Sequence, residues 1–217
     1  MTTKDEMPNR RGFLTRLFGT AAGVTFVAGR QAGAQTATTA ASGPDAWIKE
    51  VKGTHRCLFD FPQHKNGAPL LHILNYLNTY NEAYKSAPGT VGAVGTFYSI
   101  GTQSSIALGF NDAMWAKYGK SFSERIDFLD PKTNKVPTTN VYAAQLGGLL
   151  KQGVHLAVCN LSTRSTAQRL AELNGVSAEE TYKELTTNAL PNAHFVAAGV
   201  IGATRAQEHG YALISIG

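Results

Sequence analysis

Cys159 is the residue of this chain best placed to do chemistry. It closes the run Gly153-Val-His-Leu-Ala-Val-Cys159, a short apolar strand pattern. Asn160-Leu-Ser-Thr-Arg164 follows as a Ser/Thr-rich turn, with helical residues beginning near Ser165. A thiol at the carboxyl end of a strand faces the crevice in which open α/β sheets bind ligands. A helix amino terminus placed there favours thiolate over thiol. Arg164 would add to that potential, and Asn160 is a candidate ligand contact beside the thiol. The alternative for Cys159 is a small buried side chain that only fills space. His155 shares a strand face with Cys159 but sits about 13 Å away at about 3.3 Å per residue, too far for a Cys-His catalytic pair.

A second group of candidates lies near the first convincing strand pattern, His55-Arg-Cys-Leu-Phe-Asp60. Asp60 ends that strand where the same crevice would open, and His64 follows on the loop. Together they could hold a polar ligand or a metal, although a strand-terminal Asp often makes turn hydrogen bonds instead. The aromatic stretch Trp115 to Tyr118 could wall a ligand or a subunit contact, or simply pack in a helix core. His72 reads as a surface residue, and Arg56, Arg164, Arg169 and Arg205 are scattered. There is no C-x-x-C, C-x-x-C-H or H-x-x-x-H spacing, so neither a dedicated metal site nor a cofactor is expected.

Cys57 and Cys159 are the two cysteines. In an oxidising compartment a pair suggests a disulfide, but both fall on core strands, where neighbouring cysteines rarely meet bridge geometry. A redox pair would need their Cα atoms within about 7 Å.

The elements that would position these residues alternate strand and helix. After a lead-in from Trp47 to Gly53 and the 55–60 strand, Leu70, Ile73, Leu74, Leu77, Tyr80 and Tyr84 recur at helical spacing, ending before Pro88-Gly89. Thr90 to Ser99 is a second strand, apolar on both faces as in a covered parallel sheet. A helix capped by Ser104 or Ser105 carries Ile106, Phe110, Ala113 and Met114, and residues 119–139 read as an irregular excursion. A helix from about Asn140 to Gln152 precedes the cysteine strand. The helix from Ser165 is expected to end at Leu173, and Ser177-Ala-Glu-Glu180 is a capping box for the next. Strands at 193–198 and 211–216 flank a short helix from Val200 to Glu208. The expectation is an α/β single domain: a mostly parallel five-stranded sheet with helices on both faces.

Residues 1–34 carry Asn9-Arg10-Arg11-Gly12-Phe13-Leu14, a weakly apolar run from Leu17 to Ala28, and Ala32-Gly33-Ala34. That order of twin arginine, apolar stretch and A-x-A site is an export signal, which places the mature protein in the periplasm. The polar breaks Gly19, Thr20, Gly23 and Thr25 make the run a poor membrane span. Residues 35–53 are then a flexible tether and lead-in, and 54–217 the domain. Removing five of the 20 basic and two of the 15 acidic side chains lowers the net charge from +5 to +2. With no basic cluster interleaved with aromatics, nucleic-acid binding is not expected.

The cysteine strand, then Phe195-Val-Ala-Ala-Gly199-Val200, Gln207 and Gly210-Tyr211-Ala-Leu-Ile214, resembles the DsrE/DsrF-like family of sulfur-relay proteins from about Thr54 to Gly217. The resemblance implies a three-layer α/β sandwich, assembly into homo-oligomers, and a cysteine at position 159 that accepts sulfane sulfur as a persulfide. It also implies a sulfur donor or acceptor protein as partner. The chain departs from the relay members in carrying an export signal, and in His55–Asp60 and the Asn111–Trp115 patch. A non-catalytic ligand-binding or assembly module of the same fold is the other expectation.

Overall fold

Alternating apolar strands joined by helices leave few topologies open, because parallel crossovers need a covering layer. The computed structural model describes residues 43–99 and 101–216. The proposed signal and nearly all of the tether lie outside the described residues. Five strands, β1 (His55–Asp60), β2 (Val91–Phe97), β3 (His155–Cys159), β4 (Ala193–Val196) and β5 (Ala212–Ser215), pair in parallel in the order β4-β3-β2-β1-β5. The helices are α1 (Ala46–Glu50), α2 (Ala68–Ala83), α3 (Asp112–Ile126), α4 (Ala143–Lys151), α5 (Asn160–Asn174), α6 (Ala178–Thr187) and α7 (Gly199–Glu208).

Strand side chains alternate between faces, and two separate cores result. One face buries Cys57, Phe59, Ala93, Phe97, Leu156 and Val158 under residues of α2 to α6. The other buries Leu58, Val94, Ala157 and Val196 under α1 and α7. By the same alternation, Asp60, Tyr98, His155, Cys159 and His194 all belong to this second face. The α/β expectation is met, with every strand pair parallel. Among the described residues no helix is long and apolar enough to cross a membrane.

Four expectations are corrected. The lead-in is part of the domain: Trp47, Ile48 and Val51 are buried in the second core, and Tyr211 donates to the Ile48 carbonyl at 2.8 Å. The helix expected from Ser104 or Ser105 is a single 3-10 turn, Ile106–Gly109. Asn111 then starts a new helix by accepting from the Met114 N–H, and α3 takes in residues 119–126 of the stretch expected to be irregular, whereas 127–139 form neither helix nor strand. Met114, Trp115, Tyr118, Phe122 and Ile126 form its buried stripe. Gly119 interrupts the pattern because α3 passes so close to the Pro137 carbonyl that a Cβ would collide with it. Finally, α5 begins at Asn160, so the segment expected as a turn is its first turn.

Candidate functional site

Strand β3 ends on Cys159, whose backbone stays extended (φ −68°, ψ 117°) while Asn160 already belongs to α5. The thiol therefore occupies the N-cap, where Sγ accepts the Ser162 N–H at 3.3 Å. Helix N-caps ordinarily use a hydroxyl, amide or carboxylate oxygen for this bond. Thr163 donates to the Cys159 carbonyl at 2.9 Å, and Ser162 Oγ accepts from Ser99 N–H at 3.0 Å, tying the end of β2 to the same turn. Cys159 is 4% exposed.

Since β2 lies between β1 and β3, the residue just past β2 sits between the ends of its neighbours. That residue is Tyr98, and its phenol donates to Asp60 Oδ2 at 3.1 Å. Thr96 donates to the other carboxylate oxygen at 3.0 Å. Burial raises the Tyr98 pKa first, the Asp60 charge and hydrogen bond raise it further, and Cys159 on the opposite side adds to the effect. The phenol is thus held protonated as a donor at this edge. Helix α7 starts over the ring: a Cβ on Gly199 would come within 2.7 Å of the Tyr98 ring carbons. Two helix amino termini and three strand ends meet here.

The structure brings Asp60 and Cys159 to one edge of the sheet, with Tyr98 between them, and engages the other candidates with different partners. Asn160 accepts the Tyr182 hydroxyl through Oδ1 at 2.7 Å, and the Arg164 guanidinium stacks on the same ring 4.1 Å from its centroid. One turn apart on α5, both residues are engaged by α6 rather than by the thiol. The expected ligand role of His64 is corrected as well. His64 is 3% exposed, its Nδ1 accepts the Asn66 N–H at 3.1 Å, and Nε2 faces the Ile126 carbonyl at 3.2 Å. With Nδ1 an acceptor, the proton must sit on Nε2, which leaves neither nitrogen for a ligand. Burial lowers its pKa, against weaker opposing effects from Ile126 and Asp127.

Trp115 is interior, fully buried with its indole N–H on the Ala107 carbonyl at 3.1 Å. Tyr118 donates to Glu184 at 2.7 Å. The scattered arginines do not converge: Arg56 donates to the His209 carbonyl, Arg205 pairs with Asp45 and Glu208, and Arg169 with Glu172. Cys57 and Cys159 are both free. They stand on β1 and β3 with β2 between, and Cys57 aligns with Ala93 whereas Cys159 aligns beyond Phe97. Two strand spacings and several residues of stagger separate them by well over about 7 Å, which removes the disulfide and the redox pair. Burial pushes the Cys57 thiol up to about 11.

Sequence reasoning missed Tyr98, Thr96 and Gly199, although Tyr98 ends a recognised strand pattern on the Asp60 face. It also missed a second cluster at the opposite end of that face, where Glu50, His155 and His194 bring three ligand atoms within 4.8 Å of one another. No local spacing announces that cluster, because its members come from α1, β3 and β4.

No protein-family model matches the chain, and no curated protein matches it. A solved structure similar to it is that of a protein of unknown function, MTH1491 from Methanobacterium thermoautotrophicum. The two share 18% identity at a TM-score of 0.44, over 75% of this chain and 99% of that one.

Proposed function

We propose that this chain is an exported DsrE-like protein that binds or relays sulfane sulfur in the periplasm through Cys159. The observation that carries the reading is the N-cap position of the thiol, with the Ser162 N–H donating to Sγ at 3.3 Å. The Ser162 N–H and the amino terminus of α5 both face Sγ, where they can stabilise the negative charge that the sulfur carries during exchange with a sulfane sulfur. In the step itself, the Cys159 thiolate attacks the outer sulfur of a donor hydropersulfide, R–S–SH. The Sγ–S bond forms as the donor's S–S bond breaks, and the donor leaves as RS⁻ with that bond's electron pair. An acceptor thiolate then repeats the exchange on the Cys159 persulfide. At 4% exposure the thiol suits small donors such as inorganic polysulfide better than a protein-borne one.

The experiment is mass spectrometry of the folded protein after treatment with inorganic polysulfide at neutral pH. The reading expects a gain of about 32 Da per added sulfur, mapped to Cys159, with Cys57 unmodified and no adduct in Cys159→Ser. Absence of an adduct on Cys159, while a cysteine peptide in the same tube is persulfidated, rejects it.

The same low exposure favours a second reading, in which Cys159 is a structural cap and the chain is a ligand-binding or assembly module of this fold. Under it, Cys159→Ser preserves binding while changes at Asp60 abolish it. Homo-oligomer formation belongs to both readings and is supported by edge strand β5, exposed along its whole length with Leu213 and Ile214 open to solvent. Sedimentation velocity tests it, a monomer at all concentrations being the adverse result.

A further inference from the structure

His155 opens β3 and His194 is the second residue of β4, so both project from the face that α1 covers. Their rings are nearly parallel, 18° apart in plane and 5.1 Å between centroids, with His155 Nδ1 2.8 Å from His194 Nε2. Glu50, the last residue of α1, places Oε2 3.8 Å from the same His194 nitrogen. Two imidazole nitrogens at that distance share one hydrogen, so one presents a lone pair to the other. Burial lowers the pKa of both rings. Neutral imidazole is the form that ligates metals.

We propose that Glu50, His155 and His194 form a binding site for a divalent transition-metal ion of the zinc type, with a fourth position left to water. Two imidazoles and one carboxylate are a borderline donor set. It suits zinc and its first-row neighbours and disfavours calcium and magnesium, which prefer oxygen alone. Bonds of about 2.0–2.1 Å at tetrahedral angles need the two nitrogens about 3.3 Å apart, a widening of about half an ångström that side-chain rotation supplies. Glu50 is 56% exposed on its side chain and free to swing in, whereas His194 is held at 17%. The three ligands come from three elements, so a bound ion bolts α1 onto the amino ends of β3 and β4. Trp47 beside the His194 ring, at 6.4 Å, and the Asp45–Arg205 pair already hold α1 in the right place. The site is independent of the sulfur reading: Cys159 lies at the other end of β3, about 13 Å along the strand.

The test is isothermal titration of the chelator-treated full-length protein with Zn²⁺ at pH 7.5, paired with the visible spectrum of the Co²⁺-loaded protein. The site predicts one equivalent bound and a four-coordinate Co²⁺ spectrum without thiolate charge-transfer absorption. It also predicts an apparent Tm that rises with free Zn²⁺. His194→Asn and Glu50→Gln should each weaken binding by more than about tenfold, while Cys159→Ser leaves it unchanged. Because Glu50 is exposed, its variant stays informative if a histidine variant misfolds. Lack of saturable binding overturns the proposal, as does binding that both variants retain, which would assign the ion to other surface histidines.

Discussion

Tyr98 donates its phenol to Asp60 Oδ2 at 3.1 Å, linking the ends of two neighbouring strands on the edge where Cys159 also terminates its own. With Thr96 on the second oxygen, the carboxylate accepts two donors from the β2 segment. Tyr98→Phe removes one of them with little change in shape. The expected cost is about 1–2 kcal/mol of unfolding free energy, since hydrogen bonds to charged acceptors exceed neutral ones. Urea denaturation of the two proteins measures it, and an unchanged midpoint would mean solvent replaces the phenol.

Gly199 is required by approach rather than by conformation. A methyl group there would meet the Tyr98 ring at 2.7 Å, so the buried ring or the start of α7 would have to shift. Gly199→Ala is expected to lower stability by about 1–3 kcal/mol, as overpacking does. Thermal unfolding reads the loss, and near-ultraviolet circular dichroism should report the displaced tyrosine.

His64 makes stability depend on pH. Burial holds its pKa below the ordinary 6.5, while Ile126 and Asp127 oppose that shift more weakly. As pH falls below about 6.5 the unfolded chain takes up the proton first, so the unfolded state gains. The contribution is complete above that value and is lost as pH drops toward the folded-state pKa. Urea midpoints between pH 7.5 and 5 should fall more steeply in the native sequence than in His64→Gln. His155 and His194 slope in the same direction in both proteins, so the difference between the two curves isolates His64.

Arg164 is expected to matter for packing and not for the thiol. Its guanidinium lies on the Tyr182 ring, and Asn160 accepts the hydroxyl of that tyrosine. Arg164→Ala should cost about 0.5–1 kcal/mol, the range of an exposed cation–π contact. It should leave the rate at which Cys159 reacts with a small thiol reagent unchanged. A reaction rate that falls severalfold would place the guanidinium's field at the sulfur after all.

What the sequence determined by itself is local. The alternation of apolar strands and amphipathic helices is written in periods of two and 3.6, and it sufficed for the α/β class and for all five strands. The same period put His155 and Cys159 on one face and set the thiol at a strand end. The capping box at Ser177 marked α6 to the residue. Packing decided the rest. Residues 160–164 look like a turn until Ser162 and Thr163 are seen buried in the first turn of α5. Residues 112–126 look loop-like at Gly119 until the Pro137 carbonyl is found against it. Strand order placed Tyr98 between Asp60 and Cys159 and brought His194 to His155. Periodicity states which way a side chain points along its own segment. Which other segment lies there is a non-local matter, settled only when the β4-β3-β2-β1-β5 sheet and its two cores form together.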